Sequence, residues 1–285
     1  MSQTNFRHKR RLGQHFLHDI RIVDRIVAAA DLEPGVSVLE IGPGQGALTR
    51  RLLETGARVV AVEVDRRLEP DLTALETEFP NLKVIWGDFM KLGWADLGLE
   101  PATTRVVANI PYYITTPILL KLLEADALQA GPMASAPPRP ERIILMIQDE
   151  VARRLLAREG SADYGSLTVI GRYAATCESV CPVPRTAFRP RPEVESRVVR
   201  LFPRSEPPLE VRDPVRVFRL VRAAFGQRRK TLANALGVLG IPRAQVDEAI
   251  EATGIEPMAR GETLALEQYV ALSDRLAELT RPGTP

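Results

Sequence analysis

Short runs of β-branched residues alternate with stretches of helical periodicity along the first half of the chain. The runs predict strands at 36–41, 58–64, 82–86, 105–108 and 142–147. Helices are predicted at 19–32, 47–54, 66–78, 117–125 and 149–158. Such alternation favours right-handed crossovers, and therefore a parallel sheet with helices on both faces. The pattern predicts an α/β fold of the doubly wound, Rossmann-like type, with runs 174–180 and 196–202 as a hairpin-like antiparallel edge.

A proline-rich segment divides the chain into two predicted domains. Residues 203–214 contain four prolines, and the pattern beyond them is helical. Helices are predicted there at 215–225, 229–239, 243–253 and 266–279. We therefore expect an α/β domain over 1–204 and a small all-α domain over 215–285. Segment 129–140 also has four prolines, and we interpret it as a surface loop.

Composition narrows the class of protein. Of the 285 residues, 45% are hydrophobic and 26% are charged, and no apolar run approaches the roughly 20 residues that span a bilayer. The basic, polar N-terminus lacks the features of a secretory signal, so we expect a cytoplasmic protein without membrane contact. Two cysteines and three histidines, the latter all within the first 18 residues, favour neither a disulfide scaffold nor a metal site.

The formal net charge of +2 is unevenly distributed. Residues 185–204 carry six arginines, and residues 216–230 carry six basic residues with no acid. Separate basic segments can combine into one phosphate-binding surface, as in nucleic-acid proteins. Charge alone favours the simpler interpretation of independent solvated faces.

A glycine-rich loop follows the first predicted strand of the sheet. Gly42, Gly44 and Gly46 allow a tight turn and a close backbone approach to a ligand, and Glu63 ends the next strand 21 residues after Gly42. In an open α/β sheet that carboxylate can accept both hydroxyls of a ribose. These residues alone are also compatible with an NAD-dependent enzyme. Asp88, at the end of the third strand, suits an adenine amine and a turn cap equally well.

The fourth strand of this series ends in Asn109-Ile110-Pro111-Tyr112, which resembles the catalytic motif of amino-directed S-adenosylmethionine methyltransferases. An aromatic amine is a weak nucleophile because its lone pair is delocalised into the ring. Carbonyl oxygens of the Asn109 side chain and the Ile110 backbone can accept its two hydrogens and redirect the lone pair. Pro111 fixes φ, and Tyr112 can stack on a flipped base.

Further segments extend the resemblance from about residue 9 to residue 269. The segments that carry it are 11–17, 148–151, 164–167, 188–192 and 225–232. Together with the Asn109 motif, they resemble the bacterial family that dimethylates two adjacent adenines in a hairpin loop near the 3′ end of 16S ribosomal RNA. The resemblance implies a class I methyltransferase fold, S-adenosylmethionine as donor with S-adenosylhomocysteine as product, and no metal. It also implies a monomer that acts on 16S rRNA within the pre-30S subunit.

The resemblance assigns a role to particular residues. Catalysis and base binding fall to Asn109, Ile110, Pro111, Tyr112 and Phe188. Cofactor binding falls to His15, Leu17, Gly42, Gly44, Glu63, Asp88 and Asn109. We expect RNA contacts from Arg189, Arg191, Arg222, Arg228, Arg229 and Lys230.

Two positions depart from the family, which usually has Lys at the sites of Asp149 and Ala162. We expect the two departures to alter local rRNA contacts and to leave the cofactor chemistry intact.

Two alternative functions remain open: an Erm-type enzyme that methylates one adenine of 23S rRNA, and a protein that serves mainly as a ribosome-assembly binding factor.

Overall fold

The computed structural model describes residues 15–123, 139–206 and 208–280. The basic segment 1–14 and nearly all of the predicted loop 129–140 lie outside these ranges. The strands are β1 (Phe16–Leu17), β2 (Ser37–Ile41), β3 (Arg58–Glu63), β4 (Leu82–Trp86), β5 (Thr104–Asn109), β6 (Arg142–Gln148), β7 (Ala175–Val183), β8 (Phe188–Arg189) and β9 (Ser196–Pro203).

The helices follow the predicted order with two additions. They are α1 (Ile20–Ala30), α2 (Ala47–Glu54), α3 (Glu69–Glu78), α4 (Trp94–Leu97), α5 (Thr115–Leu122), α6 (Asp149–Leu156), α7 (Ser166–Ala174), α8 (Pro214–Gly226), α9 (Leu232–Leu236), α10 (Arg243–Ala252) and α11 (Leu266–Leu279). Helices α4 and α7 were not predicted.

A seven-stranded sheet forms the centre of the α/β part, with the strand order β4-β3-β2-β5-β6-β9-β7. The first five of these strands are parallel, and β9 runs antiparallel to β6. This confirms the Rossmann-like α/β prediction. The chain moves from β2 to β3 and β4 on one side, then returns to β5 on the other. Adjacent carboxyl ends of β2 and β5 therefore form a topological switch point, the usual place for a ligand in such sheets.

Burial along the central strands confirms that both faces of the sheet are covered. Each of the five residues 143–147 in β6 is at most 1% exposed. Successive side chains of a strand point to opposite faces, so a run without alternation means that neither face meets water. The β-branched runs in the sequence are thus the signature of a fully buried parallel sheet.

Strands β9 and β7 are neighbours at the end of the sheet, as predicted for runs 196–202 and 174–180, and β9 runs antiparallel to β6. The predicted and observed elements differ at two places. The predicted helix 229–239 is shorter, because a turn closed by Lys230 N donating to Gln227 O (2.9 Å) precedes α9, and residues 237–239 form a 3-10 turn. Strands β1 and β8 pair with each other, which short two-residue segments do not reveal in sequence.

The described residues group into two compact units. The first holds 15–122, 139–152 and 177–203; the second holds residue 123, 153–176, 204–206 and 208–280. Segment 153–176 therefore groups with the C-terminal helices, whereas the sequence analysis placed it with the sheet. The division into domains 1–204 and 215–285 stays a prediction.

The second unit is built around buried aromatic side chains. The Tyr164 hydroxyl donates to Leu264 O (2.9 Å), and the Tyr269 hydroxyl donates to Gly261 O (2.8 Å). A Cβ on Gly261 would come within 2.7 Å of Ala224 Cβ, so glycine is needed for this close packing. Within the described ranges, no helix is both long and apolar enough to cross a membrane.

Candidate functional site

The glycine loop after β2 adopts the conformation that its glycines permit. Gly42, Gly44 and Gly46 have φ values of +73°, +60° and +83°, in the region that L side chains rarely adopt. Gly42 N donates to Val62 O (2.9 Å), which ties the loop to β3. A Cβ on Gly44 would lie 3.2 Å from the Phe16 ring, so β1 packs closely against the loop. This close approach and the positive φ both favour glycine at 44.

Glu63 ends β3 and is held by backbone N–H groups. Its Oε1 accepts from Val64 N (2.9 Å) and Asp65 N (2.8 Å), and its Oε2 accepts from Gly44 N (3.2 Å). Burial raises the pKa of Glu63 above its ordinary value, and these three backbone hydrogen bonds oppose the rise. The carboxylate is thus locked beside the glycine loop, as the sequence pattern predicted.

Asp88 follows β4 and caps the turn that comes next in the chain. Its Oδ1 accepts from Met90 N (2.9 Å) and so begins the 3-10 turn Phe89–Lys91. Lys121 closes the other end of this turn, since its Nζ donates to Phe89 O (2.7 Å) and Leu92 O (2.6 Å). The capping role of Asp88 is therefore compatible with the other interpretation, in which Asp88 contacts an adenine amine.

The Asn109–Tyr112 turn leaves the sheet at the end of β5, next to β2. Ile110 is 1% exposed, and its N–H donates to Met146 O (3.3 Å) on β6. Pro111 has φ −55° and ψ 134°, and its carbonyl accepts from Ile114 N (3.1 Å), which begins a 3-10 turn at Tyr112. The Asn109 side chain makes no hydrogen bond to any other described residue.

Pairing between β1 and β8 brings distant residues to this turn. Leu17 pairs with Phe188, which is 3% exposed. The His15 Nδ1 donates to Pro190 O (2.8 Å), and the His15 ring stacks on Tyr112 with centroids 5.7 Å apart and 30° between planes. The N-terminal segment and the 188–192 loop, far apart in the chain, therefore meet beside the motif.

These residues enclose a cavity of about 370 Å³ at the switch point. Every predicted catalytic and cofactor-binding residue borders it: His15, Leu17, Gly42, Gly44, Glu63, Asp88, Asn109, Ile110, Pro111, Tyr112 and Phe188. The structure therefore brings together the residues that the motifs selected. Their individual roles stay predictions.

The sequence analysis missed Glu40, a carboxyl group of β2 that also borders the cavity. Glu40 is 1% exposed, and its Oε2 has no hydrogen-bond partner among the described residues. Burial raises the pKa of Glu40 to about 8, and the nearby charge of Glu63 adds to the rise. The feature of the sequence that could have identified Glu40 is its acidic side chain within the apolar run Val38-Leu39-Glu40-Ile41.

The predicted RNA-binding residues fall in both units. Arg189 and Arg191 are exposed in the first unit, and Arg222, Arg229 and Lys230 are exposed in the second.

Arg228 is exposed as well, and its guanidinium is bound to groups of its own unit. Its Nη2 donates to Ala162 O (2.9 Å) and Tyr164 O (3.1 Å), and it lies 3.5 Å from a Glu262 carboxylate oxygen.

The two departures from the family have basic neighbours in the structure. Asp149 begins α6, and its Oδ1 accepts from Arg197 Nε at 2.8 Å. The backbone carbonyl of Ala162 accepts from Arg228, so a positive charge lies near each position at which the family has Lys. Across the described ranges, no group of three or more His, Cys, Asp or Glu side chains has a metal-binding arrangement.

Comparison with solved structures identifies the fold class. A dimethyladenosine transferase from Plasmodium falciparum superposes with a TM-score of 0.71 at 27% identity, covering 90% of this chain and 96% of that one. The 23S rRNA methyltransferase ErmE superposes with a TM-score of 0.65 at 32% identity, covering 92% and 99%. The sheet and its switch-point cavity are those of a class I methyltransferase.

Sequence comparison identifies the family. The model of the ribosomal RNA adenine dimethylase family matches residues 5–278. A "Ribosomal RNA small subunit methyltransferase A" of Moorella thermoacetica is 44% identical over 273 residues, covering 93% of this chain and 91% of the relative. A protein of the same name from Geobacillus thermodenitrificans is 41% identical over 290 residues, covering 99% and 95%. The chain belongs to the ribosomal RNA adenine dimethylase family.

Proposed function

We propose that this protein transfers methyl groups from S-adenosylmethionine to the exocyclic amines of two adjacent adenines in the 3′-terminal hairpin loop of 16S rRNA. Each adenine receives two methyl groups, during assembly of the 30S subunit in the cytoplasm. The observation that carries the proposal is the Asn109–Tyr112 turn, which borders one cavity together with Glu63, Asp88 and Phe188. Names of the small-subunit relatives support the substrate.

The cavity fits the proposed methyl donor. The fixed carboxylate of Glu63 suits the two hydroxyls of a ribose, and Asp88 suits an adenine amine at the next strand end. Glu40 presents a buried oxygen without a partner among the described residues, which favours a cationic or hydrogen-donating group of the ligand. When bound, S-adenosylmethionine supplies a methyl group that its sulfonium charge already activates.

The chain's own residues then have to orient the target amine. In the first transfer to an adenine, the Asn109 side-chain oxygen and the Ile110 carbonyl accept the two amine hydrogens and direct the nitrogen lone pair toward the methyl group. One of these protons is released as the new N–C bond forms, and one hydrogen remains to be held in the second transfer. The Asn109 side-chain amide is available for this role because no described residue forms a hydrogen bond with it. Pro111 restricts the backbone of the turn, so little reorganisation accompanies substrate binding. The reaction needs no covalent enzyme intermediate.

Aromatic side chains supply the contacts for a base that has left its stack. Tyr112 and Phe188 both border the cavity, and a base–aromatic contact contributes about 1–3 kcal/mol. His15 lies against Tyr112 and borders the cavity beside the base site. The exposed arginines at 189 and 191 follow Phe188 closely and suit the phosphates that flank a flipped base.

The small-subunit substrate is preferred over the Erm-type alternative. Identity with the two small-subunit relatives is 44% and 41%, against 32% with ErmE. The segment 225–232, which joins α8 to α9, is one of the segments that carry the resemblance to the small-subunit family.

The decisive experiment offers unmodified 30S particles and protein-free 23S rRNA separately to the purified protein with labelled S-adenosylmethionine. Mass spectrometry of nuclease digests should find dimethyladenosine in two adjacent 16S positions. Modification of 23S rRNA alone would overturn the substrate assignment. Calorimetry should detect binding of S-adenosylmethionine and no binding of NAD; the reverse result would exclude the proposed reaction.

A further inference from the structure

A buried serine contacts the tyrosine of the catalytic turn. Ser196 is the first residue of β9 and is 1% exposed. Its Oγ lies 2.7 Å from the Tyr112 hydroxyl oxygen, a hydrogen bond between residues 84 positions apart. Ser196 pairs in register with Gln148 at the end of β6, so its position is set by the sheet. A hydroxyl on a rigid strand thus holds the outer end of the Tyr112 side chain.

The same tyrosine is held at a second point, where the His15 ring stacks against it. A tyrosine ring turns about two side-chain bonds, so a stack from one neighbour leaves its angle adjustable. A hydrogen bond to the ring's hydroxyl removes much of that freedom. A base that stacks on the ring is then presented to the Asn109 turn at one angle, and near-attack geometry is sensitive to such displacements.

We propose that Ser196 is a positioning residue: its hydroxyl fixes Tyr112 so that the target adenine stacks in register with Asn109 and Ile110. The inference rests on the proposed function, since it assumes that Tyr112 stacks on the base. Ser196 itself does not touch the reacting atoms. Its contribution is expected in the rate of methyl transfer rather than in cofactor affinity.

The test compares four variants with the wild-type protein on unmodified 30S particles. They are Ser196→Ala, Tyr112→Phe, the double variant and Ser196→Thr. Ser196→Ala and Tyr112→Phe should each lower kcat about tenfold while 30S affinity and S-adenosylmethionine affinity stay within twofold. The double variant should lose no more than either single variant, because both remove the same hydrogen bond. Ser196→Thr, which keeps a hydroxyl, should restore most of the rate.

A matched control separates positioning from burial. Ser273 is also 1% exposed, lies in the second unit, and its Oγ has no hydrogen-bond partner among the described residues. Ser273→Ala should leave kcat unchanged. Additive losses in the double variant, or a rate for Ser196→Ala equal to wild type, would refute the inference. If Ser196→Ala does not fold, the test passes to Tyr112→Phe, whose kcat must fall about tenfold; a wild-type kcat there refutes the inference as well.

The failure of this inference differs from that of the proposed function. Wild-type protein that does not methylate 30S particles contradicts the function itself. Wild-type methylation with unaltered Tyr112→Phe and Ser196→Ala rates contradicts only the role of the hydroxyl pair. A fluorescent base provides an independent readout: 2-aminopurine in the target position of a hairpin RNA should be quenched less by Ser196→Ala than by wild type.

Discussion

The buried tyrosines of the second unit and the polar side chains beside the cavity of the first unit differ in their hydrogen-bond partners. In the second unit, the hydroxyls of Tyr164 and Tyr269 each donate to a backbone carbonyl of the same unit. In the first unit, Glu40 keeps one carboxyl oxygen without a partner, and Asn109 keeps its side-chain amide unengaged by the described residues. Both of these groups border the cavity.

The difference separates stability from function. Leaving a buried polar group unpaired costs free energy, and a ligand in the cavity can complete the pairing of Glu40. The tyrosine hydroxyls of the second unit are fully used and hold its core together. Glu40 and Asn109 remain available to a ligand. Substitutions beside the cavity should therefore mainly lower activity, and substitutions of the buried tyrosines should mainly lower stability.

The largest effect is expected at Asn109. In the proposed mechanism, Asn109→Ala removes an oxygen that accepts an amine hydrogen in the transition state, and kcat should fall by about 10²–10³-fold. The thermal midpoint should hardly change, because the side chain makes no hydrogen bond within the described protein. Methylation of 30S particles and thermal unfolding are the measurements.

The same variant tests whether binding and catalysis are separable. Asn109→Ala should retain salt-sensitive binding to 30S particles, as a ribosome-assembly role requires. Simultaneous loss of binding and methylation would contradict separable roles.

The next effect concerns Glu40 and the pH dependence of stability. Its pKa is 4.5 ordinarily and about 8 in the folded protein, so between these values the folded state binds more protons than the unfolded state. Stability must then fall as pH rises through this window, by a few kcal/mol at most. Glu40→Gln cannot lose a proton and should show a flatter dependence.

Urea unfolding of the cofactor-free protein and the Gln variant at pH 5 and pH 8 measures this difference. The raised pKa of Glu63 is common to both proteins and cancels in the comparison. An equal change in the free energy of unfolding between pH 5 and pH 8 for the two proteins would mean that Glu40 is not protonated in the folded state.

A smaller effect is expected in the second unit. Tyr269→Phe removes the hydroxyl that donates to Gly261 O (2.8 Å) in a buried site, so this carbonyl keeps only the longer bond from Leu264 N (3.4 Å), and the protein should be destabilised by about 0.5–1.5 kcal/mol. Affinity for S-adenosylmethionine should not change. Tyr113→Phe is the matched control, because Tyr113 is 59% exposed and should tolerate the loss of its hydroxyl. Equal destabilisation by both changes would contradict the structural role of Tyr269.

The smallest effect separates two neighbouring arginines. Arg229→Ala should weaken 30S binding, reduce the salt dependence by about one unit of slope, and leave the thermal midpoint unchanged. Arg228→Ala should lower the midpoint, because the carbonyls of Ala162 and Tyr164 lose their donor. Binding titrations at several salt concentrations, with thermal unfolding alongside, distinguish the two. Identical behaviour would show that the intramolecular bonds of Arg228 carry no stability.

Short segments of the sequence were enough to predict the parallel sheet, the glycine loop, the position of Glu63 and the Asn109 turn. Each rests on a short segment whose residue types act locally: buried β-branched runs form strands, glycines permit positive φ, and strand ends of a parallel sheet meet at one edge. Residues 143–147 illustrate this, since their continuous apolar run predicted the burial that the structure has.

The distant side chains that complete the site could not be predicted from the sequence and are known from the folded structure. The pairing of Leu17 with Phe188, the Tyr112–Ser196 hydrogen bond and the engagement of Arg228 each join residues at least 64 positions apart. No local pattern encodes them, because they depend on the register of strands and on the packing of whole elements. Composition identified basic residues; the fold decided which of them are already bound within the protein.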